Sequence, residues 1–131
     1  MHECRIEHKI NFYETICKWW DGRKFPRLPY ECLPSMIFVV SFEGKDVYAM
    51  PVYTTDTNTC FIGFVTGSHD STKEERKEAL SSLTKFVESY MKMLGISVVI
   101  TSTASTHLKK LFEAEGYKKT GENYNEYLKI L

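Results

Sequence analysis

Three cationic side chains cluster where a long helix is expected to begin: Lys73, Arg76 and Lys77. The first N–H groups of a helix lack internal partners, and the helix dipole places partial positive charge at the same end. An anion such as a pyrophosphate would therefore be stabilised there. Glu74 and Glu75 offset two of the three positive charges. The alternative interpretation of these residues is a solvated, capped helix start that binds nothing.

The other side chains that could bind a metal or form disulfides follow no known spacing. The four cysteines, at positions 4, 17, 32 and 60, form no Cys-x-x-Cys pair. This excludes zinc-ribbon and thioredoxin-like motifs. His2, Cys4 and His8 lie close in sequence, but their spacing matches no common metal site. We therefore expect free thiols and no metal.

The long helix is the clearest element in the sequence. Apolar residues recur every three or four positions from Ala79 to Leu94, which predicts a helix over residues 73–94. Thr72 followed by Glu75 is a capping-box pattern for its start, and Gly95 would end it.

The remaining elements predict a single α/β domain over residues 1–131. An edge strand is expected over residues 4–10 and a helix over residues 12–21 with Asn11 as its N-cap, followed by a proline-rich loop. Pro51 indicates a bulge or a sheet edge within the second strand of a meander. The other predicted elements are strands over residues 36–42, 47–54, 59–66 and 96–101, a helix over residues 105–115, and a terminal hairpin of strands over residues 117–120 and 124–130.

The strand–helix–strand unit over residues 59–101 should form a right-handed crossover, which makes its two strands parallel neighbours. The fold class is therefore a mixed, mostly antiparallel sheet with helices on both faces.

Composition limits the classes of function. Seventeen Lys plus Arg balance seventeen Asp plus Glu, so no basic surplus favours nucleic-acid binding. The apolar runs are much shorter than the ~20 residues that cross a bilayer, and the polar start has no secretory pattern. We expect a cytoplasmic protein without a membrane segment.

The order of the elements and two short motifs resemble a known family. The meander ending in Phe64-Val65-Thr66-Gly67, the long helix, the buried strand and Leu-Phe-Glu-x-x-Gly-Tyr at residues 111–117 are similar to the GNAT superfamily of acyl-CoA-dependent N-acyltransferases. In particular the chain resembles small, divergent members of the kind found in bacteriophages, which would place it in the host cytoplasm. The resemblance implies that the central parallel strands splay apart and that the cofactor, acetyl-CoA, lies in the gap.

The resemblance also implies which residues bind acetyl-CoA. Backbone groups of Phe64, Val65 and Thr66 would pair with the pantetheine arm, and Thr101, Ser102 and Thr103 would form the other side of the gap. The pyrophosphate would lie at the start of the long helix. The family's glycine-rich loop is replaced here by residues 72–77, which contain no glycine, so Lys73, Arg76 and Lys77 would have to supply the phosphate contacts.

The proton-transfer groups implied by the resemblance are incomplete. Phe112 aligns with the tyrosine that usually protonates the departing thiolate, and a phenyl ring has no proton to donate. Ser102, Thr103 and Tyr124 are the alternatives for that role. The third strand of the meander has no carboxylate or imidazole, so His69 and Asp56 are the nearest candidates for a general base.

The first helix and its loop usually border the acceptor in this family. This implies an acceptor wall of Trp19, Trp20, Arg23 and Tyr30. Because neighbouring residues on a helix point about 100° apart, we expect only one of the two tryptophans to be fully buried.

The implied activity is transfer of an acetyl group to a small-molecule or macromolecular amine by direct attack, with the Val65 N–H polarising the thioester carbonyl. The alternative is a non-catalytic protein of the same fold that binds a protein or nucleoprotein partner. A homodimer is left open, whereas membrane association and dedicated nucleic-acid binding are not expected.

Overall fold

A computed structural model describes residues 1–123 and 125–131. Its strands are β1 (His2–His8), β2 (Met36–Phe42), β3 (Lys45–Thr54), β4 (Thr59–Ile62), β5 (Thr66–Gly67) and β6 (Val98–Thr101). Its helices are α1 (Lys9–Gly22), α2 (Lys73–Met93) and α3 (Thr106–Ala114), and a short 3₁₀ turn spans Tyr30–Cys32. Among the described residues, no helix has the length and apolar character needed to cross a membrane.

All six strands belong to one sheet in the order β1-β2-β3-β4-β6, and β5 pairs with β3. Every pair is antiparallel except β4 and β6, which run parallel with Thr59 beside Val98 and Ile62 beside Thr101. This confirms the predicted fold class and its parallel pair. Beyond Ile62 the chain continues along β3 as β5 and no longer pairs with β6, so the two parallel strands separate.

A bulge marks the point of separation. Val52 pairs with Ile62 and Ala49 with Thr66, so residues 63–65 face only two residues of β3. Pro51, one of those two, accepts a hydrogen bond from the Gly63 N–H at 3.1 Å but has no N–H to return. The interruption predicted from Pro51 is therefore a bulge in the facing strand, and the predicted strand over residues 59–66 is split into β4 and β5.

Helices cover both faces of the sheet. On one face α1 packs its buried side chains against Ile37, Val39 and Ala49. On the other face α2 and α3 enclose the larger core, in which Leu83 and Val87 are fully buried. The capping box predicted for α2 is formed: the Thr72 side chain accepts from the Glu75 N–H, and the Glu75 side chain accepts from the Thr72 N–H.

Three local predictions were wrong. Helix α1 begins at Lys9, and its N-cap is His8, whose Nδ1 accepts from the Ile10 N–H, rather than Asn11. Both Trp19 and Trp20 are buried, at 5% and 4% exposed. Residues 117–123 and 125–131 form no strand, so the terminal hairpin is absent among the described residues; Tyr124 lies outside them.

Candidate active site at the strand bulge

A cavity of about 170 Å³ lies where the parallel strands separate. Phe64 and Val65 of the bulge line one side, and residues following β6 line the other. Leu108 and Phe112 of α3 close it from the core side. The cavity therefore has backbone groups of an irregular strand segment on one wall and hydroxyl side chains on the opposite wall.

The bulge leaves a backbone donor free beside this cavity. Phe64 adopts a left-handed conformation with a φ of 57°, which turns the chain out of the regular strand path. Among the described residues, the Val65 N–H donates to no protein acceptor. A donor of this kind is available to polarise a carbonyl oxygen, as the backbone amides of an oxyanion hole do.

Side-chain hydrogen bonds hold the bulge in place. The Thr66 hydroxyl donates to the Phe64 carbonyl oxygen at 2.8 Å and accepts from the Trp20 indole Nε1 at 3.2 Å. Trp20 thus supports the bulge from α1 and does not form the exposed acceptor wall expected from the sequence. The side-chain role of Thr66, which was expected to act through its backbone, was missed because it depends on this long-range contact.

The opposite wall carries three hydroxyl side chains: Thr101, Ser102 and Thr103. The Thr101 hydroxyl donates to the Ile62 carbonyl oxygen at 2.9 Å, and the Thr103 hydroxyl accepts from the Ser105 N–H at 3.1 Å. Within the described residues, Ser102 makes no side-chain hydrogen bond and is exposed. Its hydroxyl is therefore free both to donate and to accept, whereas the Thr103 hydroxyl, which already accepts one bond, still has its proton to donate.

Glu126 also lines the cavity, although the sequence offered no signal for it. It comes from the C-terminal segment, 24 positions after Ser102 in the chain. It is the one carboxylate among the residues that line this cavity. Only the path of the chain after α3 brings it there.

The start of α2 already contains an anion. Because the capping box uses the Thr72 and Glu75 N–H groups, the Glu75 carboxylate occupies part of the region that an external anion would use. The hydrogen bonds with Thr72 lower the pKa of this carboxyl, so it stays charged at neutral pH. Lys73 and Lys77 are exposed and unpaired with any carboxylate in the described residues.

Two arginines close around the loop before α2. Arg23 donates from Nε to the Gly67 carbonyl oxygen at 2.8 Å and from Nη2 to the Ser68 carbonyl oxygen at 3.1 Å. Arg76 donates from Nη1 to the Ser71 backbone and hydroxyl oxygens. A Cβ at Gly67 would approach within 3.2 Å of both side chains, so glycine is required for this close packing.

The proximity of these two guanidinium groups has an electrostatic consequence. Burial, and then the neighbouring positive charge of Arg76, lower the pKa of Arg23. No carboxylate pairs with either arginine among the described residues. The loop therefore concentrates positive charge at the end of the sheet where α2 begins.

The structure does not bring the expected general-base candidates to the cavity. His69 is exposed, and its ring lies against Gly22 at the end of α1. Asp56 lies in the turn before β4, whereas the bulge follows the other end of that strand. Neither residue is among those that line the cavity.

The expected acceptor residues on α1 and its loop are also used elsewhere. Trp19 packs edge-on against Phe12, with ring centroids 5.6 Å apart. Tyr30 packs against Tyr13 at 5.3 Å, and the Lys9 ammonium lies 4.3 Å from the centre of its ring. Like Arg23, these side chains stabilise the α1 face and do not line the cavity.

A second, larger groove of about 1160 Å³ lies along the outer edge of β6, between α2, α3 and residues 117–120. Phe112 and Thr101 line both spaces. Among the described residues, Val98 and Ile100 of β6 are about half exposed, because no further strand covers this edge.

No protein-family model matches the chain, and no curated protein sequence matches it. Solved structures do match. A ribosomal-protein-alanine N-acetyltransferase from Brucella melitensis biovar Abortus 2308 is 14% identical, with a TM-score of 0.69 over 98% of this chain and 100% of that one. An aminoglycoside acetyltransferase from an uncultured soil metagenomic sample, in complex with sisomicin, is 14% identical, with a TM-score of 0.63 over 99% and 95%.

A protein described as a transcriptional regulator from Bacillus halodurans C-125 is 12% identical, with a TM-score of 0.68 over 98% of this chain and 100% of that one. At such identities the likeness concerns the fold. The order of the elements, the parallel pair that separates at the bulge and these full-length matches agree: the chain has the fold of the GNAT superfamily of acetyltransferases.

Proposed function

We propose that the protein transfers an acetyl group from acetyl-CoA to an amine acceptor. The observation that carries the proposal is Val65, which lines a cavity between separating parallel strands and whose N–H has no acceptor among the described residues. The likeness in fold to N-acetyltransferases supports the same activity. The acetyl thioester would bind in this cavity with its carbonyl oxygen at the Val65 N–H.

The transfer requires a single displacement at the thioester carbon. The nitrogen of the neutral amine attacks the carbonyl carbon, a C–N bond forms, the C–S bond breaks, and the sulfur leaves as a thiolate. The Val65 N–H stabilises the negative charge that develops on the carbonyl oxygen. The amine loses one proton and the thiolate gains one, so the products are an amide and a free thiol.

Protonation of the thiolate is assigned to Ser102. The Phe112 ring borders the cavity but has no proton to donate, whereas the Ser102 hydroxyl is on the opposite wall and makes no side-chain hydrogen bond among the described residues. A serine hydroxyl is a weak acid, so it would act by passing on a proton from water. Amine deprotonation is left to solvent, since His69 and Asp56 do not line the cavity.

The phosphates of acetyl-CoA would bind to side chains rather than to bare backbone. Glu75 already occupies the helix start, and its charge opposes an incoming phosphate. The exposed ammonium groups of Lys73 and Lys77 and the unpaired guanidinium donors of Arg76 supply the opposite charge. The residues present therefore fit a pyrophosphate through charge-assisted hydrogen bonds, with weaker help from the helix N–H groups than in a glycine-rich loop.

Calorimetric titration of the protein with acetyl-CoA tests the proposal, together with a thermal-shift measurement. A ligand at 100 times its Kd stabilises the folded state by about 2.7 kcal/mol. We expect Lys73→Ala with Lys77→Ala to weaken binding at least tenfold. The matched control, Lys85→Ala with Lys92→Ala, changes two exposed lysines farther along α2 and should bind like the parent. Absence of acetyl-CoA binding by the parent protein would refute the proposal.

A non-catalytic binding protein is the second candidate. The Glu75 carboxylate at the helix start and the loop without glycines favour it, because both weaken the phosphate site. The match to a protein described as a transcriptional regulator shows that this fold is not restricted to proteins described as acetyltransferases. Acetyl-CoA binding without thiol release for any amine would support this candidate.

A further inference from the structure

An aromatic surface continues outward from the cavity on the face of the sheet that carries α1. It consists of three rings, which we call the aromatic step: Tyr53, Phe61 and Phe64. The Tyr53 and Phe61 ring centroids are 6.0 Å apart, and those of Tyr53 and Phe64 are 6.3 Å apart. Phe64 also lines the cavity and is 38% exposed, so the step leads from solvent to the bulge.

The step is rigidly supported. The Tyr53 hydroxyl donates to the Cys32 carbonyl oxygen at 2.6 Å, and burial raises the pKa of this phenol to about 12. A Cβ at Gly63 would lie 2.8 Å from the Phe61 ring and 3.2 Å from the Tyr53 ring. The rings therefore close directly over a glycine backbone, which a larger residue at position 63 would prevent.

Phe64 occupies its place at an energetic cost. A non-glycine residue with positive φ is uncommon, and an aromatic residue is poorly suited to that conformation. Residues held in such strained conformations cluster at functional sites. Glycine or asparagine would fit this backbone better. The Phe64 ring is partly covered by Tyr53, and its exposed part is available for contact with a ligand.

The chemistry around the step defines the ligand. Glu126 lines the same cavity as Phe64, so an acidic residue and an aromatic residue border one space. A carboxylate attracts an ammonium group, and aromatic rings gain from offset or edge-on contact with another ring or an apolar group. A small primary amine with an aromatic substituent would satisfy both.

We propose that the aromatic step is the acceptor subsite and selects small primary amines that carry an aromatic group. This rests on the proposed function, because it names the amine that the acetyl group would reach. The aromatic group packs on Phe64 and Tyr53, and the amino group lies at the cavity near Glu126. Phe64 is thus a specificity-determining residue.

The test compares two amines that differ only in the phenyl group, 2-phenylethylamine and ethylamine, as acceptors from acetyl-CoA. Thiol release gives kcat/KM for each. We expect the parent to prefer 2-phenylethylamine at least tenfold, which corresponds to about 1.4 kcal/mol.

Variants at position 64 test the role of the ring. Phe64→Gly, which suits the positive φ and should fold, is expected to reduce that preference to less than about threefold, and Phe64→Tyr should retain it. Phe25→Ala, which changes an exposed phenylalanine outside the cavity lining, is the matched control and should not alter the preference.

Acetyl-CoA affinity, measured by calorimetry on the same proteins, separates the two proposals. If acetyl-CoA binds and the parent shows no preference, or Phe64→Gly keeps it, the aromatic subsite is refuted while the proposed function stands. If acetyl-CoA does not bind, the proposed function fails. The subsite is then tested by binding alone, and the same holds if acetyl-CoA binds but no amine is acetylated. Ligand-observed NMR measures the binding of both amines to the parent and to Phe64→Gly. Equal binding of the two amines by the parent overturns the subsite, and selective binding that Phe64→Gly abolishes supports it.

Discussion

Replacing Phe112 by tyrosine tests whether this side chain lies beside the reacting sulfur. The phenyl ring is 4% exposed, borders both the small cavity and the larger groove, and packs against the Tyr117 ring with centroids 5.1 Å apart. Tyrosine adds one hydroxyl at nearly unchanged volume. Since open space lies on two sides of the ring, we expect the hydroxyl to reach a cavity and remain hydrogen-bonded to water.

The expected result is a gain in rate with little loss of stability. A positioned general acid contributes about 10²–10⁴-fold, and Phe112→Tyr should increase thiol release by up to that factor where protonation of the thiolate limits the rate. If the hydroxyl were instead buried without a partner, the cost would be about 1–3 kcal/mol. For a chain of this length that corresponds to a decrease in Tm of roughly 4–10 °C.

The assay measures thiol release from acetyl-CoA with a saturating amine, and Tm by calorimetry, for parent and variant in the same buffer. Phe38→Tyr is the control: Phe38 is fully buried in the same core and lines neither cavity. It should lose stability without any gain in rate. A Phe112→Tyr protein that behaves like this control, less stable and no faster, would refute the placement of Phe112 beside the leaving group.

Three further predictions concern the core, the bulge and the helix start. Leu83→Ala should cost about 2–5 kcal/mol in urea unfolding, because this residue is fully buried between α2 and the sheet; a loss below about 1 kcal/mol would contradict that packing. Thr66→Val removes the hydroxyl that links Trp20 to the Phe64 carbonyl, so kcat for acetyl transfer should decrease at least tenfold while acetyl-CoA still binds; an unchanged kcat would show that the bulge holds its geometry without this link. Glu75→Gln keeps an oxygen for the capping bond but removes a negative charge that repels a phosphate at the helix start. Two unit charges ~4 Å apart interact by about 1 kcal/mol in water, so acetyl-CoA should bind up to about fivefold tighter in low salt, and unchanged affinity would place the phosphates elsewhere.

The sequence predicted those parts of the fold that depend on local patterns. The apolar stripe of α2 and the spacing of Thr72 and Glu75 were sufficient to predict the helix and its capping box, because both depend on residues within a few positions of one another. The parallel pair of β4 and β6 followed from the handedness of the crossover around α2. Phe64, Val65, Ser102, Thr103 and Phe112, expected around the gap from the family resemblance, do line one cavity.

The errors lie where tertiary contacts decide the structure. The C-terminal residues were predicted to form a hairpin, but strand formation needs a paired neighbour, and the described C-terminal residues have none. Two adjacent tryptophans were expected to face different environments. Instead Trp19 packs on Phe12, while the Trp20 indole donates to the Thr66 hydroxyl of β5, so both are covered. The sequence also gave no indication that Glu126 lines the cavity, because its position depends on the path of the C-terminal segment and not on a local pattern.

The bulge at residues 63–65 connects the acyl site with the acceptor subsite. One additional residue opposite Pro51 frees the Val65 N–H, directs the chain away from β6 and turns the Phe64 ring outward. These three effects share one geometric cause, so a change in the backbone of the bulge alters all of them. A substitution that relaxes the bulge, such as Thr66→Val, should therefore weaken carbonyl polarisation and amine selectivity together. A change confined to the Phe64 side chain should affect selectivity and leave the backbone donor in place.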